Sequence, residues 1–255
     1  MFICPREKIV FFLDLSDEIG EPIYTRSTPK DASDYTPSVV SKLEAVKKAM
    51  QNFISIKSSF NKKHEFALVV LTDECMSVTE GFSSNIEDIL FALNDISTLG
   101  SFSSFSMDSI VNAITNLNIE HPLQVLHFDS YGFEFIVRFV VIYSRSECIP
   151  LWNDSNSINT FKNVANHGYL FLDYIQLYPS HKMNSIHLFE DAAKTLCSET
   201  SLTYGIECIS TAPLLTSKMC EQMFTAEDSI YNTFSKILVH PLQRRNVISK
   251  HSQEM

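Results

Sequence analysis

Residues 8–15 read Lys8-Ile9-Val10-Phe11-Phe12-Leu13-Asp14-Leu15, a short apolar run of β-formers that reaches an acid near its end. Successive apolar side chains leave no polar face. A strand of this kind must be covered on both sides, as strands of a parallel sheet are. Similar runs recur at 65–72 (EFALVVLT), 135–143 (FIVRFVVIY), 169–178 (YLFLDYIQLY) and 202–210 (LTYGIECIS). A shorter stretch at 76–80 predicts a neighbouring strand that turns back at Gly81.

Helical patterns separate these strands. Pro37 suits a first helical turn, where its missing N–H costs nothing. Val39, Val40, Leu43, Val46, Met50, Phe53, Ile54 and Phe60 then form one apolar stripe, with Lys42, Glu44, Lys47, Lys48 and Gln51 opposite. Ser84-Asn85-Ile86-Glu87 has capping-box spacing and predicts a helix to about residue 96. Further helices are expected at 107–117, 156–165, 185–197 and 229–239, the last stopped by His240-Pro241. Residues 20–36, 97–106 and 121–132 read as loops. The order β-α-β-β-α-α-β-α-β-α-β-α predicts an α/β fold: a doubly wound, mostly parallel six-stranded sheet of Rossmann type, with one antiparallel edge strand and helices on both faces.

The bulk composition narrows the function. The 255 residues are 45% hydrophobic and 20% charged, and the formal net charge is −10. A chain this acidic repels phosphate backbones and anionic lipid, so neither nucleic acid nor membrane is an expected partner. No signal peptide or membrane span is expected, because the apolar run at 133–143 is broken by Glu134 and Arg138. The cysteines Cys4, Cys75, Cys148, Cys197, Cys208 and Cys220 form no CxxC and no zinc spacing. They read as reduced thiols of a protein of the cytoplasm or nucleus.

Function in an open α/β sheet gathers at the carboxyl ends of the strands. The first strand ends in Asp14-Leu15-Ser16-Asp17-Glu18. A carboxylate and a hydroxyl two residues apart suit a hard divalent cation. The competing reading is that Asp14 and Ser16 satisfy backbone N–H groups at the turn. A phosphoryl-transferring Asp14 would want a second acid where Ser16 stands, and so lacks its general acid. No phosphate loop, nucleophile elbow or paired metal-binding histidines occur, and neither a catalytic residue nor a cofactor is expected. Phe102 and Phe105, in a serine-rich loop, read equally as partner contacts or as residues tucked under the sheet rim. The stretch 237–245 (ILVHPLQRR) joins a helix end to a short docking-type segment.

Several stretches carry a resemblance: Cys4-Pro5 with 8–18 (KIVFFLDLSDE), 63–73 (KHEFALVVLTD), 138–148 (RFVVIYSRSEC), 171–178 (FLDYIQLY) and 238–244 (LVHPLQR). Together they resemble the von Willebrand factor A-like adaptors of the BRISC and BRCA-A deubiquitinase complexes, the MERIT-forty family. A-type domains place Asp-x-Ser-x-Ser at the first strand end, a Thr on a later loop and an Asp after the fourth strand. Asp14 and Ser16 match, Glu18 replaces the last Ser, Ser101, Ser103 and Ser104 lie where Thr would be, and Tyr143-Ser144-Arg145-Ser146 has a cation instead of Asp. The resemblance thus implies a degenerate metal site at Asp14, Ser16 and Glu18. The alternative it leaves open is a metal-dependent ligand-binding A domain using Asp14 and Ser16.

The resemblance also implies an A-like domain over 1–240 and a tail over 241–255. It further implies a non-catalytic scaffold that contacts the ubiquitin-variant-fold subunit. Through that subunit it would support a metal-dependent isopeptidase, with its pseudo-enzyme scaffold partner, that trims lysine-sixty-three-linked polyubiquitin. Leu238, His240, Pro241, Leu242, Gln243 and Arg244 match the family's docking stretch. Set against the vertebrate members it resembles, the chain is expected to lack their long polar N-terminal extension and to carry extra residues around 221–229.

Overall fold

The computed structural model describes residues 6–25, 38–117, 119, 124–127, 130–148, 150–166, 170–178, 203–209, 230, 231, 234, 235 and 238. Its strands and helices follow in the order β1 (Arg6–Asp14), β2 (Pro22–Thr25), β3 (Ser38–Ser41), α1 (Lys42–Phe60), β4 (Glu65–Leu71), β5 (Cys75–Ser77), α2 (Ile86–Asp95), α3 (Asp108–Asn116), β6 (Gln124–His127), β7 (Ser130–Phe133), β8 (Phe135–Tyr143), α4 (Ser155–Asn166), β9 (Leu170–Tyr178) and β10 (Thr203–Ile209). One sheet runs β10-β9-β8-β1-β4-β5. Its pairs are parallel except at the edge, where β5 runs antiparallel to β4. This is the α/β architecture expected from the strand pattern.

The first strand is central, registered on both sides: Phe12 lies against Val69 of β4 and Val141 of β8. Alternate side chains go to opposite faces. Val10, Phe12, Val69, Phe139 and Val141 pack with α3 and Phe161 of α4. Phe11, Leu13, Leu68, Val140 and Ile142 pack with α1 and α2, joined by Ile230 and Phe234 from the later helical residues. Phe53 of α1 holds that second layer together, edge-on to Phe11 at 5.6 Å and to Phe234 at 6.3 Å. No helix among the described residues is long and apolar enough to cross a membrane.

Several local expectations need correction. The helix expected from Pro37 starts at Lys42, capped by the Ser41 hydroxyl, which accepts the Glu44 N–H at 3.1 Å. Val39 and Val40 belong instead to β3, paired antiparallel with β2, and Val39 is 55% exposed. Lys42 is not on a solvated face: it is buried, with its ammonium 2.6 Å from Glu21 Oε2. At the far end Phe60 drifts off the buried stripe to 77% exposure. Residues 121–132, read as loop, contain β6 and most of the antiparallel hairpin it forms with β7. The helix before Ile96 is capped by Asn85 rather than Ser84, its side chain accepting the Glu87 N–H. The helix expected at 185–197 and the boundary at residue 240 lie outside the described residues.

Under the amino ends of the strands lies a buried charged cluster. Arg138 of β8, 0% exposed, reaches Asp173 Oδ2 at 2.5 Å and Glu7 Oε2 at 3.3 Å, and Lys57 reaches Glu7 Oε1 at 2.6 Å. His64 closes the cluster: its Nδ1 accepts the Glu7 backbone N–H at 2.8 Å and is therefore unprotonated. Burial lowers the His64 pKa below its ordinary 6.5, and Lys57 and Arg138 push the same way against Glu7. The unfolded chain therefore takes up a proton near pH 6.5 that the folded chain refuses until lower pH. Stability is lost as pH falls through that window. Thermal melting should show His64→Gln with a shallower fall in Tm from about pH 7 to pH 5 than the parent chain. Identical slopes would rule out this role.

Candidate functional site

The carboxyl ends of β1, β4 and β8 are drawn together around Asp14. The strand ladder brings Asp14 beside Leu71, and Leu13 beside Ile142. The chain after β8 then curls over the first strand end. Ser144 donates to Asp14 Oδ2 through both its N–H (3.0 Å) and its hydroxyl (2.8 Å). Ser16 donates to the same carboxylate through its N–H (3.2 Å, Oδ1) and hydroxyl (3.1 Å, Oδ2). Of the expected pair, Asp14 accepts backbone N–H groups at the turn, whereas among the described residues the Ser16 hydroxyl hydrogen-bonds only to the Asp14 carboxylate and the Ser144 hydroxyl.

The remaining partner is a cation. Arg145 Nε donates to Asp14 Oδ1 at 2.9 Å, and the Arg145 side chain is 1% exposed. Its other nitrogens donate to backbone carbonyls: Nη1 to Ser104 O at 2.9 Å, and Nη2 to Leu71 O at 3.2 Å and Thr72 O at 2.6 Å. The guanidinium lies 4.9 Å from the Phe102 ring, 5.5 Å from Phe105 and 5.6 Å from Tyr143. Burial is the largest influence and opposes its charge, but the charge and hydrogen bond of Asp14, together with Tyr143 and Cys148, outweigh it and hold the Arg145 pKa above the ordinary arginine value.

The other acids and hydroxyls of the site turn elsewhere. Glu18 accepts the Ser146 N–H on both oxygens, at 3.0 and 2.9 Å, fixing the loop after β8. Ser101 donates to Asp17 at 2.6 Å and Ser104 to Asp73 at 3.1 Å. Ser103 is exposed. Gly100 permits the loop's close approach: at φ 131 its backbone is one that side-chain-bearing residues rarely adopt, and its carbonyl accepts the Asp17 N–H at 2.9 Å.

This geometry does not fit a divalent ion on Asp14. Both carboxylate oxygens are already engaged, and the position a metal would take beside Oδ1 holds a fixed positive charge. Among the described residues no group of three or more His, Cys, Asp or Glu is placed to hold a metal. Nor is there an activated thiol at the site: burial pushes Cys75 up to about 12.

Phe105 is a core residue rather than a loop contact. It is 2% exposed and packs on Tyr143, because its carbonyl and the neighbouring Met107 N–H pair with Leu151 and pull the loop inward. Phe102 is half-buried over Arg145. Leu238 is half-buried against the α1 side of the core. His240, Pro241, Leu242, Gln243 and Arg244 lie outside the described residues. What residue spacing could not reveal is the ring of carbonyls around Arg145. A lone arginine directly after an apolar strand was its only signal.

A solved structure of a von Willebrand factor type A protein from Catenulispora acidiphila aligns with 92% of this chain and 42% of its own, at a TM-score of 0.51 and 10% identity. The fold is of the von Willebrand factor A type. No family model matches the chain. Among curated proteins, one from Xenopus tropicalis is 28% identical over 244 residues, and one from Danio rerio is 26% identical over 244 residues. Each alignment takes in 94% of this chain. The chain is similar to BRISC and BRCA1-A complex member 1. It spans 67% of the length of the Xenopus complex member and 58% of the Danio one.

Proposed function

We propose that the chain is a non-catalytic scaffold subunit of a deubiquitinase assembly of the BRISC and BRCA1-A type. The observation that carries this reading is similarity over 94% of the chain to proteins named as members of those complexes. The strand-end site supports it: Asp14 is held by Arg145, Ser144 and Ser16, and has neither a general acid nor an open metal position beside it. In this reading the chain contacts the ubiquitin-variant-fold subunit. That contact keeps the metal-dependent isopeptidase and its pseudo-enzyme scaffold partner assembled on lysine-sixty-three-linked polyubiquitin, in the cytoplasm and the nucleus. The docking segment is His240 to Arg244. Leu238, two residues before that segment, packs on the core.

Affinity capture from the chain's own cells tests the assembly. A ubiquitin-variant-fold subunit recovered together with a metal-dependent isopeptidase is the expected result, and recovery of neither overturns it. The segment is tested by Leu242→Ala with Arg244→Ala. Truncation of true anchors costs ~2 kcal/mol or more, which weakens binding to the subunit by about 30-fold. Unchanged affinity would remove the segment from the interface.

A further inference from the structure

The oxygens around the Arg145 side chain form a cage of mixed origin. Asp14 Oδ1 comes from the end of β1, Leu71 O and Thr72 O from the end of β4, and Ser104 O from the loop before α3. One anionic oxygen and three carbonyl oxygens turned toward one buried guanidinium leave a strongly negative potential there if nothing positive stands between them. Such an oxygen set is also what a hard cation of flexible coordination takes. Here the positive charge is covalently attached to the next turn of chain. Phe102 and Phe105 stack over it, and the side chain is cut off from solvent.

We propose that Arg145 is a tethered cation: it fills an oxygen cage that otherwise requires a free cation, and so sets the strand-end surface permanently and without metal. Two consequences follow. The surface formed by the loops after β1, β4 and β8 does not respond to divalent ions. Removing the guanidinium while keeping the cage opens a site that a soluble cation can enter. The hard ion Ca²⁺ and free guanidinium are the two probes that match the vacated space, one in donor type and the other in shape.

Thermal melting of the purified full chain tests this. The parent chain should melt at the same temperature in EDTA and in millimolar Ca²⁺ or Mg²⁺, because a ligand raises stability only where it binds the folded state. Arg145→Ala should melt lower. It should recover part of the loss as Ca²⁺, or guanidinium at sub-denaturing concentration, is added, and Arg145→Ala with Asp14→Asn should not recover. A parent chain stabilised by divalent ions would overturn the proposal. So would a folded Arg145→Ala that gains nothing from either cation.

Should Arg145→Ala fail to fold, Arg145→Lys and Arg145→Gln decide the matter. Lysine returns a charge to the cage, whereas glutamine returns only N–H donors. A lysine variant more stable than the glutamine variant, and indifferent to Ca²⁺, supports the tethered cation. A lysine variant no more stable than glutamine overturns it. None of these readouts involves a partner subunit, so they stand or fall separately from the scaffold assignment.

Discussion

Asp14→Ala is expected to lower folding stability by about 3–5 kcal/mol, the usual cost of leaving one member of a buried ion pair behind. Three features set this scale. The Arg145 side chain is 1% exposed and cannot swing into water without dismantling its three carbonyl contacts. The Ser144 N–H and hydroxyl lose their shared acceptor. The Ser16 N–H and hydroxyl lose theirs, so the turn after β1 is loosened as well. Urea unfolding measures the loss. A double variant, Asp14→Leu with Arg145→Met, removes both charges together and should lose less than the sum of the two single changes. Strict additivity would mean that the two side chains do not act as a pair.

Arg138→Leu should be comparably severe, also about 3–5 kcal/mol, at the opposite end of the same sheet. Its guanidinium serves both Glu7 and Asp173 and lies 5.7 Å from the Phe53 ring. Without it, Glu7 keeps its contact with Lys57 at 2.6 Å, whereas Asp173 loses the guanidinium that stands 2.5 Å from it. The same urea experiment applies. A loss below about 1 kcal/mol is the range of exposed pairs and would contradict the burial seen here.

The two clusters differ in how far residue order foretold them. Continuous apolar runs mark buried parallel strands, so β1, β4, β8, β9 and β10 were legible. An antiparallel edge strand was legible too, but it spans Cys75–Ser77 rather than 76–80, and no turn-back at Gly81 defines it. The hairpins β2–β3 and β6–β7 were not. Four-residue strands carry little periodicity, and Val39-Val40 happened to extend a helical stripe. Arg138 read as an interruption of an apolar strand. A charge in such a place demands buried acids, and Glu7 and Asp173 share its face of the sheet. That parity argument was available, but it needs the strand order to be known first. At the strand ends, the Asp14-Ser16-Glu18 pattern and the cation after β8 were visible in the sequence. The carbonyls of Leu71, Thr72 and Ser104 were not, since backbone oxygens leave no trace in residue identity. Phe105 was ambiguous for a related reason: only the pairing of its loop with Leu151 sends it inward.

The central place of β1 also bears on how the chain is made. Asp14 and Arg145 are 131 residues apart. At a synthesis rate of about 5–20 residues per second, a ribosome needs roughly 7–26 s to pass from one to the other. Through that interval the strand ending in Asp14 has left the exit tunnel before β8, the second of the two strands that flank it, and before the arginine that neutralises its carboxylate. The nascent domain therefore passes through a stage with a half-covered apolar strand and an acid lacking its counter-ion, a stage at which holdase chaperones have most to bind.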